Sequence, residues 1–224
     1  MILLGIDTST NWVTVGLYAQ DSKMQGVTWQ SQRNHGRELM PAIITLLGEK
    51  ELTPADITHL AVALGPGGFS SVRVGLSTAI GLATAKETPV TGISTHVIEA
   101  EQYIKQINTD SPGLYSLIPA GRNEISWAHF NFTTEIPLDT GVCTKDNLVK
   151  SLPEKVMVCG ESAEFLCGRI DQNRILSPTP PTRKANQLLE LAKKQFKDIG
   201  PIESQKLRPI YARKPNITSP NTPV

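Results

Sequence analysis

Gly65-Pro66-Gly67-Gly68-Phe69-Ser70-Ser71-Val72-Arg73-Val74-Gly75 is the stretch from which the fold can be read. The run Leu60-Ala61-Val62-Ala63-Leu64 enters it with strand character, and an Ala-, Gly- and Leu-rich segment from about Ser71 to Lys86 leaves it as a helix. Three glycines and a proline in four residues make a turn that regular structure cannot cross. Glycine takes positive φ without steric cost, and proline fixes φ and donates no hydrogen bond. Ser70 or Ser71 is placed to accept a bond from a free N–H of the helix's first turn. Two readings of the unit stay open: an anion cradle of N–H groups at the helix start, or an ordinary tight strand-to-helix turn. The Walker pattern is absent, because no Lys follows the last glycine.

Within the helix, Gly75, Ala79 and Ala83 fall four residues apart, with Ser71 one turn earlier. A stripe of small residues lets another backbone come close. Gly75 and Gly81 each cost roughly 0.5–1 kcal/mol against alanine, so a packing reason is expected. It is either the domain's own sheet or a second protein.

The 224 residues suffice for one large domain or two small lobes. With 22 basic and 21 acidic residues the net charge is +1, which argues against nucleic-acid binding through charge alone. Arg208, Arg213 and Lys214 make the best candidate for a local basic patch. Cys143, Cys159 and Cys167 lack CxxC spacing, so neither a disulfide framework nor a zinc ribbon is indicated. The apolar start Met1–Ile6 has no basic leader and ends at Asp7, too early for a signal peptide, and no run approaches the ~20 residues of a membrane span. A soluble cytoplasmic protein is expected.

Along the chain, Ile2–Ile6, Val13–Tyr18 and Gly26–Gln30 read as strands of an antiparallel meander. Leu39, Met40, Ile43, Ile44 and Leu47 recur at helical spacing, with Pro41 tolerable if the regular helix starts just before it. Thr53-Pro54-Ala55-Asp56 opens a very short helix. Pro89–Ile93 is a further strand and Ser94 to about Ile104 a helix. After a polar loop from Asn108 to Gly113, the runs Leu114–Ile118, Ile125–Phe130 and Phe132–Pro137 make a second meander. Thr144 caps a helix to Leu152, Val156–Cys159 is a short buried strand, and Ser162 caps a helix through Leu166. Pro178, Pro180 and Pro181 mark an extended connector before an amphipathic helix from Asn186 to Phe196. The two meander-then-crossover series read as an internal duplication.

Gly5-Ile6-Asp7-Thr8-Ser9, His35-Gly36-Arg37-Glu38-Leu39-Met40-Pro41, the Gly65–Gly75 stretch, Gly92-Ile93-Ser94-Thr95 and Arg208-Pro209-Ile210-Tyr211 together resemble the bacterial TsaB (YeaZ) family, within the sugar kinase/actin/Hsp70 superfamily. The resemblance covers the first half strongly and the second loosely. It implies a duplicated actin-like (ribonuclease H-like) α/β ATPase fold, with an N-terminal lobe at 1–98, a smaller C-terminal lobe at 99–212 and a mobile tail at 213–224. It further implies a non-catalytic scaffold or dimerisation subunit. Such a subunit pairs with a larger catalytic paralogue, TsaD, in threonylcarbamoyl transfer to the adenosine beside the tRNA anticodon. A TsaE-type ATPase joins the assembly, tRNA is met only through the complex, a homodimer forms when the partner is absent, and no membrane is involved. The docking face implied by the two helices comprises His35, Leu39, Ile43, Ser71, Arg73, Gly75, Ala79 and Ala83.

Phosphoryl chemistry on such a fold needs Mg²⁺ held by carboxylates. Asp7, Thr8 and Ser9 with Gly65 and Gly67 read either as a weak or vestigial nucleotide site, with weak ATP or ADP binding and no other cofactor, or, for Asp7, as a strand-end turn residue bonding its own backbone. Pro119 stands where many relatives carry Asp, and a proline cannot ligate Mg²⁺. Thr95 and Glu99 stand at the positions matching the catalytic paralogue's His-x-x-x-His, and His35, His59, His96 and His129 are scattered, so no metal site and no catalytic residue is assigned. Two other readings remain. An independent ATP-dependent kinase-like enzyme would use Asp7 and the glycine loop, and a metallopeptidase would hold a metal.

Overall fold

The structure is a computed structural model that describes residues 1–19, 23–104, 112–131, 136–176 and 179–213. The tail from Ile217, Lys214, Pro178, most of the Asn108–Gly113 loop and most of the Phe132–Pro137 run lie outside these residues.

The first meander forms as expected from alternation: β1 (Ile2–Asp7), β2 (Trp12–Ala19) and β3 (Gln25–Gln30) pair antiparallel. α1 (His35–Gly48) crosses over to β4 (His59–Ala63), which lies parallel to β1. α2 (Phe69–Lys86) then crosses to β5 (Val90–Ile93), parallel to β4. The sheet order is β3-β2-β1-β4-β5. α3 (Thr95–Ile104) leads into a second sheet that repeats the plan, with β6 (Leu114–Pro119), β7 (Glu124–Phe130) and β8 (Asp139–Thr144) as the meander. α4 (Lys145–Ser151) crosses to β9 (Met157–Cys159), parallel to β6, giving the order β8-β7-β6-β9. Two mixed sheets built on the same plan, the first with one further parallel strand, each with a crossover helix after its meander, make the duplicated actin-like α/β fold.

Several boundaries differ from those read in the sequence. α1 begins at His35, so Pro41 sits inside the helix and removes the bond its N–H would have given to the Arg37 carbonyl. The third strand of the second meander is Asp139–Thr144, where three of the six residues are Thr or Gly and none is fully buried. A half-exposed edge strand does not announce itself by hydrophobicity. Thr144 does cap α4, accepting a bond from the Asn147 N–H. Ser162 does not cap, because the 3-10 turn Glu161–Leu166 begins before it, after Gly160.

Packing also divides the chain differently from a cut between residues 98 and 99. α5 (Ala185–Asp198) returns to the first sheet and covers the face that α1 and α2 leave bare. Leu188, Leu189, Leu191 and Ala192 of α5 meet Leu3, Ala61, Ala63 and Ile93 there. Gly5, Gly16 and Gly26 stand in cross-strand register and form a bare row beneath this helix. A Cβ on Gly16 would come 2.9 Å from the Cβ of Ala185, and one on Gly26 would overlap it. The small row lets α5 lie directly on the sheet. On the opposite face Leu4, Ile6, Val15, Leu39, Ile43, Val62, Leu76 and Ala79 form the main core. α3 lies between the lobes: Ile98 joins the first lobe's core, while Ala100 and Ile104 join Leu114, Ala128, Phe130 and Cys159 of the second.

Candidate functional site

The glycine turn follows β4 and is locked to the β1–β2 turn. Gly65 has φ of 95°, where a side chain would be strained. The Gly68 N–H is spent on the Ser9 carbonyl at 2.8 Å. A Cβ on Gly67 would overlap that same carbonyl. Gly68, not a serine, is the cap residue of α2 and offers no side chain. The Ser71 hydroxyl donates to the Gly68 carbonyl at 2.9 Å, so it acts opposite to the acceptor role expected of it. The Thr8 hydroxyl donates to the Ser71 carbonyl at 2.6 Å and accepts from the Gly75 N–H at 3.0 Å. The loop is thus a packed strand-to-helix turn.

The sequence-predicted nucleotide residues Asp7, Thr8, Ser9, Gly65 and Gly67 do come together. The carboxylate, however, is already engaged. Asp7 Oδ1 accepts from the Ser9 N–H at 2.9 Å and the Ser9 hydroxyl at 2.5 Å, and Oδ2 accepts from Arg183 Nε at 2.7 Å. Arg183 stands just before α5, and its side chain is 2% exposed. Its Nη1 reaches Glu99 Oε2 of α3 at 3.1 Å, and its Nη2 reaches Glu161 Oε1 of the second lobe at 2.7 Å and Thr10 Oγ1 at 3.0 Å. Burial alone would lower the Arg183 pKa, but Asp7, Glu161 and Glu99 outweigh it and raise it. A metal–nucleotide does not fit this donor set: Asp7 faces a fixed cation, and the glycine loop lies against the Ser9 backbone. No sequence signal marked Arg183, because its partners are far away along the chain and it sits in what reads as a connector.

Glu99 is fully buried. Burial raises its pKa to about 7, against the opposing pull of Arg183 and of the Thr182 hydroxyl, which donates to Oε2 at 2.6 Å. Its Oε1 is buried with no hydrogen-bond partner. His96, on the same helix, sits between the hydroxyls of Ser116 at 2.9 Å and Ser126 at 3.0 Å. Burial, helped by the Arg183 charge, lowers its pKa to about 3. Burial also raises the Cys159 thiol. Glu99 and Cys159 are fully buried, while His96, nearly so, reaches a cavity of about 360 Å³ lined also by Pro66, Ser94, Ser126 and Tyr211.

The histidines are apart. His35 bonds the Thr10 carbonyl at 2.9 Å, His59 packs edge-on against Phe196, and His129 stacks on Tyr115. Among the described residues no group of three or more His, Cys, Asp or Glu side chains is placed to hold a metal ion. Among them too, no helix is long and apolar enough to cross a membrane.

The docking face drawn from the sequence needs correction. Gly75, Ala79, Ala83 and Ser71 are buried. A Cβ on Gly75 would overlap Thr8 Oγ1, and Ala79 and Ala83 belong to the main core. The stripe's partner is the domain's own sheet. His35, Leu39 and Ile43 are likewise buried on the inner side of α1. Of the eight residues only Arg73 is exposed; its guanidinium lies 3.8 Å over the Phe69 ring and its Nε donates to the Tyr211 hydroxyl at 2.8 Å. The outer side of the helix pair carries other residues: Met40 and Ile44 on α1, 37% and 49% exposed, and Phe69 on α2, 39% exposed. Gly36 and Gly81 have open space where a Cβ would stand.

Topology and site together define an actin-like α/β protein in which the carboxylate at the end of β1 is held by an internal arginine. A family model described as "TsaD: tRNA N6-adenosine threonylcarbamoyltransferase" matches residues 22–144, more than half of the chain. The chain belongs to this family, on the branch of the TsaB (YeaZ) proteins. The tRNA threonylcarbamoyladenosine biosynthesis protein TsaB of Haemophilus influenzae is 25% identical over 95% of this chain and 94% of its own length. The Bacillus subtilis protein of the same name is 32% identical over 42% of each chain, and the Escherichia coli one 30% identical over 58% of this chain and 55% of its own. The matched part thus spans about half the length of these last two relatives. YeaZ from Pseudomonas aeruginosa shares the fold, with a TM-score of 0.75 at 22% identity over 94% of this chain and 99% of the other. The names of the relatives speak for the tRNA reading over a kinase-like one.

Proposed function

We propose that this chain is a non-catalytic subunit that pairs with a TsaD-type catalytic paralogue in threonylcarbamoyl transfer to tRNA. The observation that carries the pairing is the outer face of α1 and α2. Gly36 lies one and two turns from exposed Met40 and Ile44 on α1, and both Gly36 and Gly81 of α2 have nothing near the position of a Cβ. A glycine in a helix costs roughly 0.5–1 kcal/mol against alanine, and Gly81 returns nothing within its own chain. Close approach by another helix supplies the reason that the fold does not. The family supplies the partner's identity.

The absence of its own catalysis is supported by the closed site: Asp7 faces Arg183, and Glu99 and Cys159 are enclosed. On this reading ATP or ADP binds weakly at most, a TsaE-type ATPase and tRNA are met through the assembly, and the same helix face joins two copies when the partner is absent. The setting is cytoplasmic. Co-purification with the host's TsaD-type protein tests the proposal. Wild type is expected to form the complex. Ile44→Arg is expected to lose it while keeping its melting temperature. No complex with wild type, together with Asp7-dependent ATP hydrolysis by the chain alone, refutes it.

A further inference from the structure

The misfit between the carboxylates and any outside cation has a positive side. We propose that Arg183 is a built-in cation that latches the two lobes together, so that their arrangement is set by the chain itself and not by a bound ligand. Three carboxylates from three elements converge on it: Asp7 at the end of β1, Glu99 on α3, and Glu161 in the 3-10 turn of the second lobe. Their side chains are 2%, 0% and 6% exposed. Buried carboxylates this close repel one another unless a cation or proton lies between them. The guanidinium supplies the charge and, through its planar fork, separate N–H groups for each carboxylate at once. A lysine ammonium is a point charge and lacks that reach.

The bond to the second lobe is doubled. Glu161 Oε1 accepts from Arg183 Nη2 at 2.7 Å and from the Thr10 hydroxyl at 2.6 Å, and both donors belong to the first lobe's packing. Arg183 also stands two residues before α5, the helix that covers the first sheet. Thr182 beside it holds Glu99, and the Thr182 carbonyl accepts from Gln102 of α3 at 3.2 Å. Docking of α5 therefore carries the latch into place. The inference stands on this geometry alone and is independent of the partner proposed above.

The test uses the full chain and reads hydrogen exchange by mass spectrometry. Glu161→Ala removes only the second-lobe arm and leaves the Arg183–Asp7 pair inside the first lobe. It is expected to raise exchange at least tenfold at the seam, residues 8–11 and 160–166, with β1, β2 and β4 as protected as in wild type. Arg183→Lys is expected to open the same seam although the charge is kept. In Arg183→Ala, millimolar guanidinium is expected to restore protection where tetramethylammonium does not. Seam exchange unchanged in Glu161→Ala, or fully protected in Arg183→Lys, overturns the latch. Glu161→Ala decides the matter even if the Arg183 variants do not fold.

Discussion

Replacing Glu99 with Gln should change how stability depends on pH, and the size of the change follows from the site. Glu99 is enclosed by α3 itself with His96, by Asp7 of β1, by Glu161 of the second lobe, by Cys159 of β9 and by Arg183. Its pKa rises from 4.5 to about 7, because burial penalises the carboxylate more than Arg183 favours it. Below pH 4.5 the group is protonated folded and unfolded, and ionisation costs nothing. As pH rises, the unfolded chain loses the proton first, so the folded state binds more protons and stability falls until about pH 7. Two and a half pKa units correspond to on the order of 3 kcal/mol. His96 works the other way. Held near 3, it contributes stability that is present above pH 6.5 and lost as pH falls toward 3. The two terms oppose each other between about pH 4.5 and 6.5. Glu99→Gln removes one of them. Urea unfolding of both proteins at pH 4.5, 5.5, 6.5, 7 and 8, followed by tryptophan fluorescence, measures the difference. The stability of wild type minus variant should fall by about 3 kcal/mol from pH 4.5 to 7 and stay level above. A difference that is constant, or that grows with pH, would mean that Glu99 is ionised throughout and would refute the argument.

Other substitutions separate inward from outward positions on α2. Gly81→Ala should stabilise the isolated chain by about 0.5–1 kcal/mol and weaken the complex with the partner, shown by calorimetric melting beside a pull-down. Ala79→Arg buries a charge without a partner in the main core and should cost about 4 kcal/mol or more, so circular dichroism should show loss of folding before any effect on pairing can be read. Arg73→Ala gives up the stack on Phe69 and the bond to Tyr211; it should cost about 1 kcal/mol and speed hydrogen exchange in residues 207–213, leaving β1–β5 unchanged.

The elements were legible where periodicity was strong. The first meander and α5 each follow from one repeating pattern, α2 from its Ala-, Gly- and Leu-rich composition after the glycine turn, and the paired meanders exposed the duplication. β8 was not legible, because a strand rich in Thr and Gly at a sheet edge has no hydrophobic signature. The stripe Gly75/Ala79/Ala83 was legible as a close contact but not as to which contact, since a sheet and a second protein make the same demand on a helix surface. Gly81 held the better clue, and it becomes visible only when the space around each glycine is known. Arg183 was beyond reach for a different reason. Buried charge is assembled by tertiary structure, and nothing local to Pro181-Thr182-Arg183-Lys184 distinguishes it from a solvated linker. The row Gly5, Gly16, Gly26 could have been found, because alignment of the three meander strands puts one glycine on each at the same level.

That row has a consequence for how the protein is made. A ribosome releases β1 to β5 together with α1 and α2, which suffices to bury one side of the first sheet. The other side, with Leu3, Ala61, Ala63 and the three glycines, waits for α5, and the whole second meander is translated in between. At about 5–20 residues per second the delay is on the order of ten seconds. Throughout it the nascent chain displays a flat apolar surface, which chaperones can hold and other unfinished chains can join.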